Sequence, residues 1–360
     1  MTPSIITLGP HQLALEEPMY FKVELEGDTV VGLDVMAGHV HRGMEHLVMK
    51  RNLYQNITLL ERLCSLCSNS HPSTFCTAVE DIAGIVVPER AEYLRAIADE
   101  IKRISSHLFN CAIMAHIIGQ GALFKNVMQI REIMQETKEA IYGNRMDLAA
   151  NCIGGVRYEL TPELSMYLGQ RMELMKAPLD ELYRIYTTDP AIRVRTEGLG
   201  VLPRQEAKDY AVVGPVARGS GIAYDVRKKS PYGAYDRLNF LVATETSGDV
   251  RARASVRLRE AQESVSLIEQ CLTRMPDGKS CADILPEIPA GETIAKSEAP
   301  RGELIYYLST DGSDMPARLK WRVPSYMNWD ALKVMLKGER VTDIPLIVNS
   351  IDPCISCTDR

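Results

Sequence analysis

Four of the nine cysteines form two pairs of identical spacing, Cys64-Ser65-Leu66-Cys67 and Cys354-Ile355-Ser356-Cys357. Two intervening residues let two thiolates point at one metal from a single turn. A structural zinc site usually keeps its two pairs about 15–20 residues apart. Here almost the whole chain lies between them, which argues against a zinc ribbon. A thioredoxin-like dithiol sits beside a βαβ pattern, and neither pair has one. A four-thiolate site closed by both ends of a large protein better suits a soft, redox-active metal centre. Near the pairs stand His71, four residues after Cys67, and Arg301, within Ala299-Pro300-Arg301-Gly302. The adjacent carboxylates Glu16 and Glu17, and Glu45, precede them. Taken singly, these read as a helix-start histidine, a surface cation and solvated carboxylates. Cys76, Cys111, Cys152, Cys271 and Cys281 show no ligand spacing and are expected to be core thiols.

If the two pairs share a metal, the fold has to bring head and tail together. Near the head, Tyr20-Phe21-Lys22-Val23-Glu24-Leu25 alternates, Glu26-Gly27-Asp28 turns, and residues 29–35 return, an antiparallel hairpin preceded by a short strand at 4–8. Residues 38–50 read as a loop entering a short helix, and 52–63 as a helix running into Cys64. From 72 to 118 the pattern is helical, with Leu94, Ile97, Ala98, Ile101, Ile104, Leu108 and Cys111 at helical spacing. Further helices are expected at 124–142, at 161–186 behind a Thr161 cap and Pro162, and at 249–275. Residues 187–235 are rich in Gly, Pro and Arg and read as irregular. Residues 301–308 and 317–323 read as a hairpin around Asp311-Gly312. The expected architecture is a mainly α body with peripheral antiparallel β-hairpins, an α+β class, in a single domain spanning 1–360.

Hydrophobic residues make up 46% and charged residues 24%, ordinary values for a globular protein. The formal charge of −6 argues against nucleic acid as a partner. No apolar run approaches the length of a membrane span. Met1-Thr2-Pro3-Ser4 does not resemble a signal peptide, so a cytoplasmic location is expected. In a reducing compartment nine cysteines should be thiols or metal ligands, not disulfides.

Over essentially its whole length the chain resembles the large subunit of NiFe-hydrogenases, in the energy-converting, membrane-complex branch with Ech-type and CO-induced enzymes. The stretches that carry this are Gly9-Pro10-His11-Gln12 with Leu15-Glu16-Glu17-Pro18, His41-Arg42-Gly43-Met44-Glu45, and Arg62-Leu63-Cys64 through Cys67 to His71-Pro72. They continue with Ala299-Pro300-Arg301-Gly302 and Asp352-Pro353-Cys354 through Cys357. The resemblance implies that Cys64 and Cys354 are terminal nickel ligands. Cys67 and Cys357 would bridge nickel to an iron carrying CO and cyanide. It makes Cys354 the first proton acceptor, places His71 beside a bridging sulfur and aims Arg301 at the diatomic ligands. Ser325 would offer those ligands a donor, and Asp352 would orient Arg301 or cap the turn. Glu17 is the implied proton gate, from its separation to Glu45, with Glu16 as the alternative. Glu45 matches a residue that helps bind magnesium in other branches. The family often ends this motif with a histidine where Arg360 stands, and an arginine offers a cation no lone pair. The chain has no spare cysteine set, so 4Fe-4S clusters belong to an iron–sulfur small subunit. Ferredoxin-like electron-transfer subunits and an integral membrane ion-translocating arm are the other implied partners. The chain would then sit peripherally on the cytoplasmic side of the membrane. Two other functions remain open. His41-Arg42-Gly43 and Ile104-Ser105-Ser106-His107-Leu108 also resemble the quinone-site subunit of respiratory complex I, and a structural zinc protein is the third reading.

Overall fold

The computed structural model describes residues 4–11, 15, 17–282 and 287–360. Gln12 and Glu16, both named above, lie outside the described residues. Strands β1 (Ser4–Leu8), β2 (Tyr20–Glu26) and β3 (Thr29–Met36) form an antiparallel sheet in that order. Tyr20 faces Met36, and Gly27 makes the turn at φ 66°. A short helix at Leu53–Glu61 leads to the first cysteine pair. Its Asn52 cap and Gln55 bond each other's backbone reciprocally.

Four long helices build the body after α1 (Ser70–Ala83): α2 (Glu89–Ile117), α3 (Gly121–Tyr142), α4 (Pro162–Thr188) and α5 (Val250–Arg274). The helical run expected over 72–118 is two helices, because Gly84 stops α1 in the left-handed region at φ 64°. Thr161 caps α4 through the Leu164 amide, with Pro162 in the first turn. Asp249 caps α5 through the Ala252 amide. Helix α2 packs against both α3 and α5, and α5 also packs on α4. Burial takes in nearly every side of α2, including Glu100, Lys102, Arg103 and His107.

The charged face of α2 is covered because the segment expected to be irregular folds over it. Residues 187–235 hold short helices at Pro190–Thr196, Arg204–Asp209, Gly214–Gly219 and Val226–Lys229. They supply cations that pair with buried acids. Arg218 meets Glu260 at 2.6 Å and Glu298 at 2.8 Å, and Arg227 meets Glu100 at 2.9 Å. Near the tail, β4 (Ala290–Ala299), β5 (Gly302–Asp311) and β6 (Pro316–Arg322) form a second antiparallel sheet, one strand more than the expected hairpin.

Two large apolar clusters and a small one around Ala98, Leu148 and Ala150 result. The largest fills the helical body and reaches the head sheet. The second lies between α1 and the tail sheet and includes Leu60, Leu63, Phe75, Val79, Leu304, Tyr306, Trp321 and all four paired cysteines. The last helix, α6 (Ile355–Asp359), delivers the second pair into this cluster.

Candidate metal centre

Each cysteine pair sits on a turn that starts a helix. The Cys67 carbonyl accepts from the Ser70 amide as α1 begins. Cys354 caps α6, its Sγ accepting from the Cys357 amide at 3.4 Å. The two turns meet. Cys354 Sγ lies 3.1 Å from Cys64 Sγ, and Cys67 Sγ lies 3.5 Å from Cys357 Sγ. All four sulfurs are buried within 4.8 Å of one another, the one such cluster of potential ligands among the described residues. Bonds from Cys354, Cys357 and Cys64 hold the Cys67 thiol well below its ordinary range. Burial pushes Cys357 the other way. One thiolate is thus stabilised by its neighbours, whereas four buried thiolates need a cation. The donor set, four soft sulfurs in a closed apolar cluster, fits a thiophilic metal centre.

The tail turn is held in a strained form. Asp352 has φ 54°, a region that favours glycine, and Arg301 locks it there. The Arg301 Nε donates to the Asp352 carbonyl at 2.6 Å and its Nη2 to Oδ1 at 2.8 Å. Arg301 reaches this place because its backbone abuts Gly214. A Cβ on Gly214, itself at φ 67°, would fall 2.1 Å from the Arg301 carbonyl oxygen. The Ser325 hydroxyl accepts the Cys354 amide at 3.0 Å, which leaves its own proton to donate elsewhere.

A cavity of about 230 Å³ opens on the sulfurs, lined by Glu17, Cys64, Ser65, Leu66, Arg301, Cys354 and their neighbours. Glu17 accepts from the Ser356 amide at 2.6 Å and from the Ser356 hydroxyl, so its carboxylate is fixed to the helix that carries Cys357. On the opposite side His71 Nε2 is 3.4 Å from Cys357 Sγ, and Nδ1 is 2.8 Å from the Tyr306 hydroxyl. In the tautomer in which the hydroxyl of Tyr306, whose ring stacks on Trp321, donates to Nδ1, the Nε2–H is aimed at the sulfur.

Of the residues singled out from sequence, the four cysteines, Glu17, His71, Arg301, Ser325 and Asp352 come together here. Glu45 does not join them. Lys320 and, at 3.3 Å, Arg360 occupy its carboxylate. The Glu45 carboxylate is thus paired with two cations in this structure, while its Oε1 makes no hydrogen bond.

Three contributors had no assigned role. Arg42 donates its backbone amide to the Arg360 carbonyl at 2.9 Å, Nη1 to the Arg62 carbonyl at 3.1 Å and Nη2 to the Leu63 carbonyl at 2.6 Å. Beside it, the Val40 amide and His41 Nδ1 hold Asp359 at 3.0 and 2.7 Å. One loop thus ties the approach to Cys64 to the helix that follows Cys354. Tyr306 orients His71, and Lys102 reaches the loop between Cys64 and Cys67. Arg42 stood in a quoted motif, but its partners are backbone carbonyls, which no residue pattern reveals.

A family model described as nickel-dependent hydrogenase matches residues 42–111, the region of the first cysteine pair. One described as respiratory-chain NADH dehydrogenase, 49 Kd subunit, matches residues 118–286 and 283–360. The chain is 60% identical to a carbon monoxide-induced hydrogenase of Rhodospirillum rubrum, covering 100% of both chains. It is 37% identical to the membrane-bound hydrogenase subunit alpha of Pyrococcus furiosus, over 99% of this chain and 87% of that one. Among solved structures, a chain of the membrane-bound sulfane sulfur reductase, an archaeal respiratory membrane complex, superposes with a TM-score of 0.94 at 30% identity. That match covers 100% of this chain and 99% of the other.

Proposed function

The chain belongs to the NiFe-hydrogenase large-subunit family, on the branch related to the 49-kDa subunit of respiratory NADH dehydrogenase, and on that premise we propose that it is the catalytic subunit of a membrane-associated hydrogenase interconverting H2 with protons and electrons. The observation that carries this reading is the meeting of four buried sulfurs from head and tail within 4.8 Å. Bound there, nickel and iron would supply the electron-accepting chemistry that polarises H–H.

Cys64 and Cys354 would hold nickel, with Cys67 and Cys357 shared between nickel and an iron that carries CO and cyanide. Cys354 Sγ, which with Cys64 lines the cavity over the sulfurs, would be the base that takes the first proton, as the family resemblance implies. Glu17 lines the same cavity and takes the proton on from there, its carboxylate oriented by Ser356. The Arg301 guanidinium and the Ser325 hydroxyl are the donors available to the diatomic ligands. His71 Nε2–H puts a donor on Cys357 Sγ and withdraws charge from it. Magnesium has no part in this proposal.

Residues 1–360 act as one domain in this reading. Iron–sulfur clusters lie in a small partner subunit, because among the described residues no second cluster of potential ligands is found. A ferredoxin-linked electron supply, an ion-translocating membrane arm and a position on the cytoplasmic face complete the proposal. No helix among the described residues is long and apolar enough to cross a membrane, so attachment falls to those partners. A quinone-reactive role leaves the gathering of four buried thiols without a purpose. Metal analysis with infrared spectroscopy of the purified complex tests the reading. One nickel and one iron per chain with bands from iron-bound CO and cyanide are expected; neither metal, or zinc alone, overturns it.

A further inference from the structure

Helix α2 carries a lysine that this reaction scheme leaves unexplained. Lys102 is 3% exposed, and its Nζ donates to the Ser65 carbonyl at 2.9 Å and the Met146 carbonyl at 2.8 Å. Ser65 lies inside the first ligand loop. Among the described residues no carboxylate makes an ion pair with Lys102. Asp147 acts on it from farther away and is itself paired with Arg62 at 2.8 Å. Lys138 of α3 is buried as well, held by Ser105 Oγ at 3.2 Å, and the two ammonium groups repel each other. A buried ammonium held only by carbonyls costs several kcal/mol unless negative charge lies close by. Burial pushes Lys102 down, to about 8, and the sulfurs of Cys64 and Cys67 are the leading groups that pull it back.

We propose that Lys102 is the counter-charge of the four-sulfur centre, a positioning residue that pins the 64–67 loop through Ser65 and sets the centre's reduction potential through its ammonium. A cation near a metal centre favours its more negative, reduced form. Neutralising that cation must therefore lower the potential. Lys102→Gln keeps a donor for the Ser65 carbonyl but loses the charge, whereas Lys102→Met loses both and Lys102→Arg keeps the charge.

The inference rests on the metal reading above, so nickel and iron in the wild-type complex are measured first. Their absence sinks that reading, and their presence leaves this one to be judged alone. Redox titration of the complex, followed through the nickel-centred paramagnetic signal, then compares the variants. Lys102→Gln and Lys102→Met should hold about tenfold less reduced centre at a fixed potential, about 59 mV for a one-electron couple, and Lys102→Arg should stay near wild type. A nickel-loaded Lys102→Gln complex with an unshifted potential overturns the proposal, since positioning alone would then account for the residue. If neither neutral variant retains nickel while Lys102→Arg does, charge is required for loading and the proposal stands. If all three lose nickel alike, charge is not what the centre needs and the proposal falls.

Discussion

Exchanging sulfur for oxygen at Cys64 or Cys357 barely changes side-chain size but removes the soft donor a thiophilic metal requires. Cys64→Ser and Cys357→Ser should each lose nickel and H2 turnover, read by metal analysis and gas production. An active, nickel-loaded variant would contradict the ligand assignment. Glu17→Gln preserves an acceptor for Ser356 while removing the exchangeable proton. Hydrogen–deuterium exchange with H2 should slow by about a hundredfold with metal content intact. An unchanged rate would move the gate away from Glu17. The cysteines could be read from sequence because ligand spacing is local, whereas Glu17 was singled out only through the family resemblance. Lys102 could not be read, because a lysine within a helical run looks solvated until the neighbouring helices are placed. Glu45 was singled out from its motif, and its pairing with Lys320, 275 residues away, is not visible there.

Among the elements, the loop around Arg42 is the one whose loss should be felt farthest away. Its guanidinium makes two charge-assisted bonds to carbonyls just before Cys64. Arg42→Met removes both and leaves the backbone bond to Arg360. Nickel should dissociate faster on chelator challenge, and amides of residues 62–67 should exchange faster by mass spectrometry. Protection equal to wild type would show that the loop does not hold the ligand turn. The long helices were legible because their apolar residues repeat at helical spacing and their caps, Thr161 and Asp249, are local signals. Strand β4 was missed because Gly291, Glu292, Lys296 and Ser297 break apolar alternation, and it is specified by its pairing to β5. The short helices of 187–235 escaped for a related reason. Each is too brief to show a period, and their basic residues find their purpose only in acids on other elements.

For the molecule as a whole, the interior is held by charge as well as by apolar contact. Burial pushes Glu100 up, but Arg103 and Arg227 outweigh it and hold its carboxyl at about 2, against an ordinary 4.5. A depressed carboxyl stabilises the fold above its unfolded value and loses that contribution as pH falls through the folded one. Between pH 4.5 and 2, Glu100 should therefore withdraw about 3 kcal/mol. The urea midpoint should fall across that window, and Glu100→Gln should start lower and flatten the fall. A variant with the wild-type slope would shift the effect to other carboxyls.

The four sulfurs come from turns 290 residues apart in the chain. At about 5–20 residues per second a ribosome takes roughly 15–60 s between the two. For all of that time the emerging chain owns half a coordination sphere, and two exposed thiolates can capture zinc or copper instead. Correct loading is therefore a problem of timing. The cell must either shield Cys64 and Cys67 until the last helix is made or deliver the metals to a finished chain whose tail has not yet docked.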